Sequence, residues 1–137
     1  MSKSKTKTPR GIRNNNPLNI RIGNNWQGEA AISKDAEFET FSEPKYGFRA
    51  GAKLLKNYQN WYGLNTVESI IHRFAPPNEN HTDNYVEFVA SQMGVSPNQP
   101  VNLSDNATLT RMIHAMSIME VGRHYTLEDA AQGVALA

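Results

Sequence analysis

The stretch Ser104–Gly122, SDNATLTRMIHAMSIMEVG, decides the fold. Leu109, Met112, Ile113 and Met116 recur at steps of three and four, the spacing that lays apolar side chains along one face of a helix. Ser104 or Asp105 supplies an N-terminal cap and Gly122 a stop, so a helix ending near Val121 is expected. Carrying the stripe one turn beyond Met116, or two turns beyond Ile113, reaches Glu120. A carboxylate therefore stands in line with a core face. It also lies in the last helical turn, where the dipole is negative and disfavours an anion by about 0.3–1 kcal/mol at an exposed site. Burial and dipole both raise a carboxyl pKa, and a carboxyl held protonated near neutral pH can serve as a general acid. Two other arrangements fit the same spacing: the helix end turns Glu120 to solvent, or Arg111 or Arg123 pairs with it.

Upstream, the same period recurs. Phe48, Ala52, Leu55, Tyr58 and Tyr62 make one stripe from Tyr46 to a stop at Gly63. Asn65, with Glu68 three residues on, has capping-box spacing for a helix burying Val67, Ile70, Ile71 and Phe74, ended by Pro76 and Pro77. Thr82 is the expected cap of a helix carrying Tyr85, Phe88, Val89 and Met93 inward and closed by Gly94. Downstream, Thr126 caps a last short helix through Ala130, Ala131 and Val134.

Before Tyr46 the period changes to two. Leu18, Ile20 and Ile22 alternate with Asn19 and Arg21, Gly23, Asn24 and Asn25 supply a turn, and Glu37–Phe41 forms a further strand with Phe38 inward. The fold class expected is α+β, mainly helical, with one small β-lobe against four or five helices. A chain of 137 residues fits one domain, placed at 10–137 after a basic arm at 1–9. The start, through Arg13, carries Lys3, Lys5, Lys7, Arg10 and Arg13 without an acid and reads as a solvated, poorly ordered arm.

Composition excludes several classes of chemistry. The chain has no cysteine, hence no disulfide, thiolate metal site or cysteine nucleophile. His72, His81, His114 and His124 show no zinc spacing, and there is neither a Gly-x-Ser-x-Gly elbow nor a glycine-rich phosphate loop. No metal and no cofactor is expected. A net charge of +1 gives no general attraction to polyanions, so nucleic acid is not an expected partner. No apolar run reaches membrane-spanning length and no secretory signal follows the basic start. Aromatic residues and amides cluster in the expected loops: Trp26, Tyr46, Trp61, Tyr85 and Tyr125, with Asn14, Asn15, Asn16, Asn19, Asn78 and Asn80. Aromatic faces and planar amides suit sugar rings, although asparagine runs also make turns and aromatics also fill cores.

The strings RGIRNNNPLNIR (10–21), WQG (26–28), FETFSEPKYGFRAGAKLLKNYQ (38–59), FAPPNENHTDNY (74–85) and MEVG (119–122) together resemble one family. It is a group of phage and prophage proteins tied to peptidoglycan degradation, within the wider lysozyme-like superfamily. The order of segments also looks like a circular permutation of the glucosaminidases of the flagellar and autolysin type. In those the catalytic helix comes first, and here the helix ending in Glu120 comes last. The resemblance implies a lysozyme-like domain with Glu120 as catalytic acid and Tyr85 near the substrate. Leu18 stands where relatives would carry Gly, and Val121 where they would carry a polar residue.

A second carboxylate is not evident. Asp35 and Glu29, both in the expected hairpin, are the candidates, with Asp35 near its tip. Asn14, Asn15, Asn16, Trp26, Asn80 and Tyr125 join Tyr85 as candidate substrate contacts. The expected substrate is the glycan strand of peptidoglycan, cut at the MurNAc–GlcNAc β-1,4 bond by a lytic transglycosylase or a muramidase. An N-acetylglucosaminidase, a cell-wall-binding virion component without activity, and a nucleic-acid-associated protein using the basic arm are the other classes. Action at the cell wall by a chain made in the cytoplasm requires a carrier, such as a virion or a secretion machine.

Overall fold

Among the described residues, six segments become helices: α1 (Arg10–Arg13), α2 (Pro44–Tyr62), α3 (Val67–Phe74), α4 (Thr82–Met93), α5 (Asn106–Val121) and α6 (Leu127–Leu136). The computed structural model describes residues 8–78 and 80–137. The chain is mainly helical, and α5 occupies its centre, packed by α4 and α6 and touched by α1 and α2. Its stripe of Leu109, Met112, Ile113 and Met116 is fully buried, together with Phe48 and Leu55 of α2 and Ile70 and Ile71 of α3. Each such side chain contributes about 1.5–3 kcal/mol by leaving water, which makes this seam the main source of helix stability. No helix among the described residues is long and apolar enough to cross a membrane.

Two helix caps stand one position from the expected residue. The cap of α3 is Thr66, whose hydroxyl accepts from the Ser69 amide while the Ser69 hydroxyl accepts from the Thr66 amide. The pair Asn65 and Glu68 plays no such part. Thr82 is the first residue of α4, following His81, and its hydroxyl donates to the Ala75 carbonyl at 2.5 Å, tying the end of α3 to the start of α4. Asp105 and Thr126 cap α5 and α6 as expected. Tyr62 departs from its stripe and is 53% exposed, as the end of α2 runs past the core.

The β-lobe forms as isolated antiparallel bridges, Arg21 with Phe38 and Glu29 with Phe41. The expected segments do meet: the Ile22 amide donates to the Glu37 carbonyl and the Glu39 amide to the Ile20 carbonyl. A longer ladder is pre-empted by the buried Asn16 side chain. Its amide donates to the Ile20 and Glu39 carbonyls and its oxygen accepts from the Ile20 amide, filling the positions of the next rungs. Leu18 and Ile20 are buried as the alternation implies, whereas Ile22 is exposed beyond the last bridge.

Residues 1–7 of the basic arm lie outside the described residues. Arg10–Arg13 contradict their assignment to that arm, for they form the turn α1, and Arg10 makes an ion pair with Asp35. Gly11 brings α1 against the end of α5: a Cβ there would lie 2.5 Å from Val121 Cγ1, 2.6 Å from Asn19 Oδ1 and 2.7 Å from the Asn16 carbonyl oxygen. At the far side Gly133 lets α6 lie on α2, where a Cβ would meet Phe48 and come within 2.7 Å of the Arg49 amide. Backbone atoms cannot yield as a flexible side chain does. Gly11→Ala is therefore expected to destabilise the protein by about 1–3 kcal/mol, the scale of core overpacking. Thermal unfolding monitored by circular dichroism should show a melting point lower by several degrees. An unchanged melting point would mean that α1 is not held against α5.

Candidate active site

Glu120 sits in the last turn of α5, half-buried, with its two carboxyl oxygens in the hands of neutral donors. The Asn19 amide donates to Oε1 at 2.9 Å and the Tyr85 hydroxyl to Oε2 at 2.9 Å. Neither Arg111 nor Arg123 acts on its carboxyl. Burial pushes the Glu120 pKa up, and the two hydrogen bonds hold it back only in part. Tyr85, almost wholly buried on α4, is driven well above its ordinary range by burial, then by the neighbouring Glu120, so it remains a proton donor.

Asn19 reaches Glu120 because of its backbone. It takes φ +52°, a left-handed conformation that asparagine tolerates better than most residues, and its amide also approaches the Glu120 carbonyl at 3.4 Å. Its side-chain oxygen is buried beside Gly11, with no hydrogen-bond partner among the described residues. Asn19 stands among the amides noted in the sequence but not among the expected substrate contacts. The alternation that put Asn19 and Arg21 opposite Leu18 and Ile20 was the signal.

Glu120 lies on the wall of a cleft of about 330 Å³ between the loops before α2 and the α3–α4 connection. Trp26, Phe38 and Tyr58 give it aromatic surface, and Asn19, Asn24 and Asn80 give it amides. Among the described lining residues Glu120 is the one carboxylate. Arg21 also lines the cleft, with its guanidinium 4.9 Å from the Phe38 ring centre. The arrangement can deliver one proton to a bound, uncharged, ring-bearing ligand and hold that ligand through stacking and amide hydrogen bonds.

The structure brings Glu120, Trp26 and Asn80 together at this cleft and places Tyr85 behind Glu120, away from the opening. The other candidates are elsewhere. Asp35 is fixed as an anion: its carboxyl takes Arg10, the Asn14 amide and the backbone amides of Glu37 and Phe38, and the Arg10 hydrogen bond above all holds it far below the usual carboxylate range. Such a group braces the hairpin, and it stands outside the cleft lining. Glu29 is exposed and accepts from the Trp26 amide at 2.7 Å, outside the cleft lining. Asn14 serves Asp35, Asn15 turns the chain at φ +52° and donates to the Phe41 carbonyl, and Asn16 replaces ladder rungs. Tyr125 is a core residue, edge-on to Phe48 with ring centres 5.4 Å apart.

No protein-family model matches the chain. "Protein P5" of Pseudoalteromonas phage PM2 is 44% identical to it over 129 residues, covering 90% of this chain and 79% of that protein.

Because the Tyr85 hydroxyl lowers the Glu120 pKa, Tyr85→Phe should raise it further while the ring keeps the core filled. Carboxyl-carbon NMR of glutamate-labelled protein reads this directly. The expected result is a titration displaced to higher pH in the variant; a displacement to lower pH, or none, would contradict the hydrogen bond.

Proposed function

We propose that this chain, which belongs to the family of Protein P5 of Pseudoalteromonas phage PM2, cleaves the glycan strands of bacterial peptidoglycan at the MurNAc–GlcNAc β-1,4 bond. The observation that carries the proposal is Glu120: a carboxyl with a raised pKa, oriented by two neutral donors, on the wall of an open cleft lined by aromatic rings and amides. The mainly helical fold, with a helix ending in the acid beside a small bridged lobe, is compatible with a lysozyme-like domain.

In this mechanism the protonated Glu120 donates to the glycosidic oxygen as the C1–O bond breaks, leaving an oxocarbenium-like MurNAc and a GlcNAc hydroxyl. The Glu120 carboxylate then takes the proton from the MurNAc C6 hydroxyl as that oxygen attacks C1. A 1,6-anhydro ring forms, Glu120 is protonated again, and no water is consumed. The lytic transglycosylase route is favoured over a muramidase because no second carboxylate is found among the described residues lining the cleft. Burial serves the first step by keeping the proton on the acid, and the Asn19 and Tyr85 donors serve the second by receiving the carboxylate it becomes. The site of action is then the cell wall, reached from the cytoplasm through a virion or secretion carrier.

Mass spectrometry of digested peptidoglycan should show 1,6-anhydro-MurNAc ends. Reducing MurNAc ends would convert the proposal to a muramidase, reducing GlcNAc ends to a glucosaminidase, and no new ends would remove glycan cleavage. Glu120→Gln should abolish the products yet keep the fold. A glutamine oxygen can accept from Asn19 while its amide donates to Tyr85, whose hydroxyl hydrogen turns to the Met116 carbonyl 3.5 Å away. A carboxyl whose pKa is raised on folding stabilises the native state below its unfolded pKa, and that contribution is lost as pH rises through its folded pKa. Glu120→Gln should therefore melt at the same or a higher temperature than the parent above neutral pH, and a lower melting point there would make the carboxylate a structural group.

A further inference from the structure

Beside the cleft lies a second groove of about 700 Å³, which shares Asn24, Trp26, Leu54 and Tyr58 with it. Three rings of the last turns of α2 and one guanidinium at the end of α3 make its wall. Trp61 is 70% exposed and Tyr62 is 53% exposed, so two large rings stand in water beside one another. Such surface marks a place where something else binds more often than chance exposure does. Arg73 lies over the Tyr62 ring at 3.8 Å from its centre and over the Tyr58 ring at 5.2 Å. The guanidinium also hydrogen-bonds the Tyr58 hydroxyl, and a guanidinium carries five N–H donors in its plane, so others are left for a carboxylate. Among the described residues, none that lines the groove is acidic and no carboxylate pairs with Arg73.

We infer that this groove binds the acidic stem peptide borne by the muramic sugar, an inference that rests on the proposed cleavage of peptidoglycan. A MurNAc placed at Glu120 carries its peptide on the lactyl branch, and that branch must leave the cleft sideways. The adjoining groove is the larger volume and shares four wall residues with the cleft. Its chemistry fits a peptide better than a further sugar. The Tyr62 face that a sugar would stack on is taken by Arg73, that guanidinium suits a carboxylate, and the Asn25 and Asn57 amides suit peptide groups. Trp61 covers the aliphatic parts of the branch. The groove then selects strands that still carry their stems over strands stripped of them.

The test compares initial rates on two soluble substrates made from the same sacculi, glycan strands with their stem peptides and strands stripped by an amidase. The parent protein should prefer the peptide-bearing strands by about tenfold in kcat/KM, the scale of one charge-assisted pair, and Arg73→Gln should bring the ratio close to one. A binding measurement stands beside it. Free stem peptide titrated into the Glu120→Gln protein should change tryptophan fluorescence saturably, and the change should vanish when Arg73→Gln or Trp61→Phe is added. Equal parent rates on both substrates, or an unchanged ratio in Arg73→Gln, would overturn the inference and leave glycan cleavage standing. Cleavage of neither substrate by the parent would overturn both. If Arg73→Gln fails to fold, the parent ratio and the parent titration decide alone.

Discussion

Two hydrogen bonds to one carboxyl gather the parts of this protein. Glu120 belongs to α5, Tyr85 to α4 and Asn19 to the N-terminal loop, and their side chains meet within 2.9 Å contacts across 35 and 101 residues of sequence. A half-buried carboxyl is costly unless its oxygens are served, and neutral donors serve them while leaving the proton available. An arginine in either place would have fixed the group as an anion, as Arg10 does with Asp35. The contrast between these two acids, one paired with a cation and one with an amide and a phenol, separates a brace from a candidate acid within the same chain.

The rest of the architecture keeps that meeting in register. The Asn19 amide comes to Glu120 only because α1 closes on the end of α5 through Gly11, and because Asn15 and Asn19 both turn the chain left-handedly. Asn16 holds the lobe beside it, and Asp35, held by Arg10 and Asn14, ties the hairpin back to α1. On the other side, the Thr82 hydroxyl fixes the start of α4, so that Tyr85 one turn later faces Glu120. The asparagine triplet is thus scaffolding for the site, not its lining.

Much of this was legible in the sequence. The apolar stripes of α2 to α5 placed the core, and the continuation of the α5 stripe singled out Glu120, because helical spacing is a property of the sequence itself. Alternation around Leu18 put Asn19 and Arg21 on a common face. What could not be read depends on contacts between distant segments. That Asp35 is tied to Arg10, that Glu29 stands outside the cleft lining and that Tyr125 packs on Phe48 are contacts of this kind. The α3 cap fell on Thr66 in place of Asn65 because Thr and Ser can exchange two hydrogen bonds at this turn, a choice that spacing alone does not make. Strand ladders failed where a side-chain amide supplied the rungs, which no period reveals.

The central claim is that the proton held by Glu120 is the one used on the glycan, and the pH dependence of kcat/KM on soluble strands, set against the carboxyl titration of Glu120 in the same buffer, tests it most directly. A general acid works when protonated, and burial raises the Glu120 pKa from its ordinary value. The rate should fall on the alkaline side at the pH where the Glu120 carboxyl signal titrates, with the folded fraction constant throughout. A rate that holds steady while Glu120 loses its proton, or that falls at a pH where Glu120 does not titrate, would contradict the account.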